Sequence, residues 1–421
     1  MKPFVLILTM LTGISCSAQQ FNEQSTYALK NPNARVMQLD NGLWYNGETF
    51  EKKSVWTKDG LLEFEKVREV DTVIDLSGKY VIPPFAEAHN HNLESAYGLE
   101  ERIKAYLDNG VFYVKLLSSI KKRIDPLMGN YNKPDGIDIS LAHAPLTATD
   151  GHPIGVRKRY LDKGYFDGMF NSLKEIEFHG YVLINDKEDL ENKWDSIMSF
   201  APDFIKLNLL YSEEYKKRRD DTAFFANKGL NPSLIGPIVD KAHSEGLRVS
   251  AHVETAYDFH IAVAAGVDEI AHLPEIDHGK LIDVNDAIAA KEKGIVVVTT
   301  VSLVTKYKNK PEYQNLVDNC RANLKILKDA GVTLALGSDM YNDNSVNEMK
   351  FLDELGVFSS KELLKMWTLN ATSTTFPKRK VGRLQEGYEA SFLVLDQDPL
   401  KDLSKVNETI ILRVKQGELL K

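Results

Sequence analysis

His89 and His91 stand two residues apart in Glu87-Ala88-His89-Asn90-His91, directly after an apolar stretch. The same placement recurs with Lys206 in Ile205-Lys206-Leu207-Asn208, His252 in Ser250-Ala251-His252, His272 in Ala271-His272 and Asp339 in Gly337-Ser338-Asp339. Imidazole nitrogens and carboxylate oxygens are donors suited to zinc and related divalent ions. Successive residues of a strand alternate faces, so His89 and His91 point the same way and can serve one ion. Each residue alone has a plainer reading. A lone His is usually hydrogen-bonded or at the surface, Lys206 an ion-pair partner, and Asp339 the N-cap of a following helix. A common cause outweighs coincidence if the apolar runs are neighbouring strands whose ends converge.

The elements around these residues favour that convergence. Between about 84 and 377 the chain repeats a helix-patterned stretch, a glycine and a short apolar run. Examples are 233–246 before Leu247-Arg248-Val249-Ser250-Ala251, and 320–331 before Val332-Thr333-Leu334-Ala335-Leu336. Helices that stop at Gly and feed apolar strands are the mark of a parallel sheet covered on both faces. Eight strands are predicted, at about 81–88, 111–117, 138–144, 203–209, 247–252, 268–272, 295–300 and 333–338. Eight units in this length favour an α/β architecture closed as a (β/α)8 TIM-like barrel, whose active site lies at the C-terminal strand ends. Residues 152–186 read as an irregular insertion after the third strand. Both ends of the chain read differently, as short strands broken by Asn41-Gly42, Asn46-Gly47, Asp59-Gly60, Ser77-Gly78 and Gln416-Gly417. The expected organisation is a signal peptide at 1–18, a β-sandwich built from 19–82 and 375–421, and the barrel at 83–374.

Composition narrows the function classes. The 421 residues carry 52 basic against 60 acidic side chains, a net charge of −8, which disfavours a nucleic-acid partner because phosphates call for a basic stripe. With 43% hydrophobic and 27% charged residues the chain is of the globular class. Met1-Lys2-Pro3, an apolar run to about Ile14, and Ser15-Cys16-Ser17-Ala18 describe a secretory signal peptide cleaved after Ala18, so export to the periplasm is expected. Lipidation of Cys16 is the alternative. No other apolar run reaches the length of a transmembrane helix. The expected partner is a small-molecule substrate, and the oligomeric state stays open.

These motifs together resemble those of the metal-dependent amidohydrolase superfamily. The resemblance rests on Pro83-Pro84-Phe85-Ala86-Glu87-Ala88-His89-Asn90-His91, Lys206, His252, His272, Gly337-Ser338-Asp339 and Asn370-Ala371-Thr372. It extends to the closing Gly382-Arg383-Leu384, Glu386-Gly387 and the run from Ala390 to Leu400. Within the superfamily the chain is most similar to the branch of imidazolonepropionases and metal-dependent, prolidase-like dipeptidases. That resemblance implies two divalent ions, zinc by donor type. His89, His91 and Asp339 would hold the more buried ion, His252 and His272 the second, and a carbamate on Lys206 would bridge them. A protonated lysine would repel two cations, whereas its carbamate is an anionic ligand. The resemblance further implies a metal-activated hydroxide that attacks a carbon–nitrogen substrate, with Asp339 as proton shuttle. Glu87 stands where the family usually has Asp, in a loop-supporting role. If Lys206 stays unmodified, a one-metal site of His89, His91, His252 and Asp339 is the alternative, with His272 on the substrate or water.

Further candidates are His152 and Tyr211 as substrate contacts, Glu254 as a ligand or orienting group, and His143 within the third strand. His179, His243, His260 and His278 read as surface or structural residues. The expected activity is hydrolysis of an amide, cyclic amide or dipeptide. A one-metal deaminase, an esterase or lactonase, and a non-catalytic small-molecule binder are the rivals.

Overall fold

Pro83 and Pro84 carry no backbone N–H to donate to a ladder, and the chain changes sheets at them. In the computed structural model, which describes residues 26–274 and 280–420, the strand expected at 81–88 is two strands. Tyr80–Ile82 belongs to a mixed sheet made from both chain ends, and Phe85–Asn90 opens a set of parallel strands. The proposed signal peptide, Cys16 and His278 lie outside the described residues.

The mixed sheet has eight strands. Its path runs Glu418–Leu419, Ile410–Lys415, Phe392–Leu395, Tyr80–Ile82, Met37–Tyr45, Phe50–Lys58 and Leu61–Glu63, with Thr72–Asp75 paired to Met37–Tyr45. Three of the predicted turn pairs join neighbouring antiparallel strands: Asn46-Gly47, Asp59-Gly60 and Gln416-Gly417. Asn41-Gly42 does not. It lies inside Met37–Tyr45, where the register slips between Leu39 and Gly42 and Asn41 takes φ 60°, so its freedom of backbone serves a β-bulge. Met37, Leu39, Trp44, Val55, Val81 and Phe392 form a buried cluster over this sheet.

The parallel strands fall into two sheets. Phe85–Asn90, Val111–Leu116 and Asp138–Leu141 form one. The other runs Val182–Leu183, Leu146–Thr147, Phe204–Asn208, Arg248–His252, Glu269–Ile270, Val296–Val298 and Thr333–Ala335. Backbone hydrogen bonds link the sheets on both sides: Ala88 N–H donates to Leu336 C=O at 2.9 Å, and Asp203 N–H to Leu141 C=O at 2.8 Å. The stretch predicted as one strand at 138–144 breaks because His143 takes φ 58° and Pro145 follows, and its continuation, Leu146–Thr147, pairs in the second sheet.

Residues 152–186 are ordered structure, not the irregular insertion expected. They hold the helices Ile154–Asp162 and Leu173–Ile176 and the strand Val182–Leu183. Ile154, Phe166, Phe170, Ile176 and Tyr181 bury one another with Ile120, which gives the segment a small core of its own. A buried ionic node ties the C-terminal segment to the parallel strands. Arg379 pairs with Asp138 at 2.9 Å and Glu389 at 2.7 Å, and Lys415 pairs with Asp138 at 2.7 Å. Among the described residues no helix is long and apolar enough to cross a membrane.

Candidate active site

Six residues from five strand ends meet. His89 lies inside Phe85–Asn90 and His91 just beyond it; Lys206 is within Phe204–Asn208; His252 closes Arg248–His252; His272 and Asp339 follow their strands. Asp339 takes φ 48°, and its N–H donates to the carbonyl of His89 at 2.8 Å, which turns the carboxylate toward the His pair. One carboxylate oxygen of Asp339 is 3.7 Å from His89 Nε2 and 3.4 Å from His91 Nε2. The His272 ring stands 4.5 Å from that of His89 and 4.4 Å from that of His252, centre to centre. All six residues line a cavity of about 100 Å³.

The outer hydrogen bonds decide which nitrogens face inward. A carbonyl only accepts, so His89 Nδ1 donates to Ala271 C=O at 2.8 Å and His91 Nδ1 to Ser118 C=O at 3.2 Å, leaving each Nε2 a lone pair toward Asp339. His272 Nδ1 lies 3.0 Å from Thr300 Oγ1. Burial holds His89, His252 and His272 well below the usual imidazole range, so their rings are neutral, the form in which histidine binds metal. Burial likewise raises the Asp339 carboxyl, against the lowering effect of His91, Lys306 and Lys206.

Lys206 is the most unusual member. Its side chain is buried and its Nζ has no hydrogen-bond partner among the described residues. Burial pushes the amine down to about 7, outweighing Glu269 and Asp339, which raise it. The donor set suits a divalent cation: His89, His272 and Asp339 present donor atoms within 4.8 Å of one another, and His252 Nε2 is buried without a hydrogen bond among the described residues. This trio takes His89 and Asp339 from one group of ligands expected from the sequence and His272 from the other, so it does not follow the expected grouping.

The supporting residues divide clearly. Glu87 is fully buried beneath the site and accepts from Ser338 N–H at 2.7 Å, Ser338 Oγ at 2.8 Å and His89 N–H at 3.2 Å, so it braces the two ligand loops against each other. His152 lines the cavity, its ring stacked on that of His252 with centres 4.8 Å apart. Tyr211 is not among the residues that line the cavity. Asp258 fixes the turn there by accepting from the N–H groups of Tyr211 and Ser212, and the Tyr211 ring lies under the Arg218 guanidinium, 3.6 Å from its centre. Glu254 lies 3.5 Å from His252 Nε2 without lining the cavity. His143 contacts Ser119 Oγ at 3.4 Å, away from the cavity lining. His243 and His260 pair with Asp268 and Asp286, each at 2.8 Å, and His179 packs between Phe170 and Phe200.

Sequence reasoning missed Glu94, Arg157, Tyr160 and Tyr341, which also line the cavity. Glu94 is three residues past His91 and was legible from that spacing. Arg157 and Tyr160 come from the helix Ile154–Asp162, where Arg157 stands beside Lys158 and Arg159 and nothing local sets it apart.

Residues 176–420 match the Amidohydrolase family. The chain is similar to the ochratoxinase of Aspergillus niger, 32% identical over 203 residues, a match that covers 45% of this chain and 40% of that protein. It therefore spans less than half the length of that curated relative in sequence. Over more of the chain it is similar to the imidazolonepropionase of Thermoanaerobacter pseudethanolicus, 25% identical across 77% of this chain and 78% of the relative. Among solved structures, the A. niger ochratoxinase superposes with a TM-score of 0.71 at 22% identity, covering 92% of this chain and 96% of that one. A prolidase complexed with N-methylphosphonate-L-proline gives 0.71 at 20% identity over 92% and 99%.

Proposed function

The chain belongs to the amidohydrolase family, and from that premise we propose that it is an exported, metal-dependent hydrolase of carbon–nitrogen bonds. Its substrate is an amide, a cyclic amide or a dipeptide. In this reading the two parallel sheets are one closed (β/α)8 barrel over 83–374, flanked by a β-sandwich from 19–82 and 375–421. Residues 1–18 direct the chain to the periplasm, with lipidation of Cys16 the alternative route.

The observation that carries the reading is the amine of Lys206, buried and unpartnered among inward-facing imidazoles. A neutral amine combines with carbon dioxide to give a carbamate and a proton, and the carbamate oxygens would add anionic donors to a set that otherwise has only the Asp339 carboxylate. His89, His91, His252, His272 and Asp339, with a carbamylated Lys206, would be the residues to hold two divalent ions, zinc by donor type. Such ions, when bound, supply the charge that polarises a carbonyl and makes water more acidic. Asp339, held in a left-handed turn beside both members of the His pair, takes the proton of the attacking water and passes it to the leaving nitrogen. His152, neutral through burial and stacked on His252, contacts the substrate at the reacting carbonyl. Ochratoxinase, imidazolonepropionase and prolidase, the names its relatives carry, support a carbon–nitrogen bond as the target.

The test is a hydrolysis screen on zinc-supplemented protein with dipeptides, N-acyl amino acids and cyclic amides, followed by amine release or ring opening. Turnover that disappears in Asp339→Asn is expected. A protein that binds metal yet turns over none of the three classes is a binder, contrary to this reading.

A further inference from the structure

Glu94 and Arg157 face each other in the cavity wall, and their geometry leaves one gap. Arg157, about 95% buried, spends its donors elsewhere: Nε on Gly180 C=O at 3.2 Å and one terminal nitrogen on Ser118 Oγ. Its other terminal nitrogen stops 3.9 Å from Glu94 Oε1, near enough to compensate the charge and too far for a hydrogen bond. Glu94 is about 92% buried, and its second oxygen, Oε2, has no hydrogen-bond partner among the described residues. A buried carboxylate oxygen without a donor is costly to keep, so a donor entering the cavity is the natural complement.

We propose that Glu94 is a specificity-determining residue that receives a free ammonium group of the substrate, and that Arg157 positions it. The inference rests on the hydrolase reading above and narrows its substrate class to peptides or aminoacyl amides with an unblocked α-amino group. An ammonium offers three donors and a charge to Glu94 Oε2, whereas the nitrogen of an N-acyl amino acid offers one neutral N–H and that of a cyclic amide no charge. A second cation would be repelled by Arg157 if Glu94 were absent, so the carboxylate is what makes this wall accept one. Tyr160 and Tyr341 line the same cavity and give the substrate side chain an aromatic surface.

The experiment compares a panel of dipeptides with their N-acetylated forms, in the wild type and in Glu94→Gln. The wild type is expected to favour the free amine by about 10- to 100-fold in kcat/KM, the range of a buried charge-assisted hydrogen bond. In Glu94→Gln that ratio is expected to fall toward one, through KM for the free dipeptides, with kcat little changed. Equal or faster hydrolysis of the acetylated forms by the wild type overturns the proposal without needing any variant. So does a ratio that Glu94→Gln leaves intact. If neither form is hydrolysed, the hydrolase reading fails, and calorimetry decides the subsite separately. Tighter binding of L-phenylalaninamide than of N-acetyl-L-phenylalaninamide, lost in Glu94→Gln, supports it, and equal binding of the two overturns it.

Discussion

Two lysines are buried within the parallel strands, and they are treated in opposite ways. Lys115, in Val111–Leu116, donates to Glu269 at 2.7 Å and to Thr374 C=O at 3.3 Å, and Glu269 also accepts from Ser250 Oγ at 2.7 Å. Glu269 begins the strand beyond whose far end His272 lies. Lys206, by contrast, lines the cavity with an amine that has no hydrogen-bond partner among the described residues. Burial lowers both amines, but only at Lys206 is there no hydrogen bond to a carboxylate to offset it. The difference teaches where the fold has satisfied its own polar groups and where it has left them for something else. Lys115 with Glu269 is finished structure, whereas Lys206 Nζ, His252 Nε2 and Glu94 Oε2 have no hydrogen-bond partner among the described residues, and the proposed function gives each a partner from outside the chain.

The contrast can be broken from either side. Asp339→Asn should lower turnover by about 10² to 10⁴, the usual contribution of a positioned proton shuttle, while metal content by elemental analysis stays near that of the wild type. Glu269→Gln should cost about 3–5 kcal/mol in denaturant unfolding, because it strands the Lys115 charge inside the protein. Lys206→Met should instead leave the metal-free melting temperature unchanged or higher, since there an uncompensated amine gives way to an apolar side chain. Chelation sharpens the same point, because ligands bound only to the native state stabilise it by mass action. Metal at about 100 times its Kd adds about 2.7 kcal/mol, so the melting temperature should fall on chelation in the wild type and much less in Lys206→Met. The smallest effect should come from His260→Ala. Its pair with Asp286 is half exposed, and unfolding should move by less than about 1 kcal/mol.

Much of this arrangement was legible in the sequence because its signals are local. The stop at Gly246 before Arg248–His252 and at Gly331 before Thr333–Ala335 marked the strands, and the polar residues at five strand ends marked the candidate site. What escaped depends on contacts distant in sequence. Asn41-Gly42 has the chemistry of a turn and serves a bulge, since only the partner strand Phe50–Lys58 decides between the two. Leu146–Thr147 is two residues long and carries no period. Arg157 resembles any solvated helical arginine until Gly180, Ser118 and Glu94 surround it. Tyr211 had the right position after its strand, and the turn fixed by Asp258 places its ring against Arg218.

Metal content per chain, measured on wild type and Lys206→Ala purified without chelator, tests most directly whether Lys206 is left unpartnered to hold ions. Two divalent ions per chain in the wild type and a loss of metal in Lys206→Ala are expected. Two ions retained in Lys206→Ala, or none in the wild type even after zinc supplementation, would contradict that role.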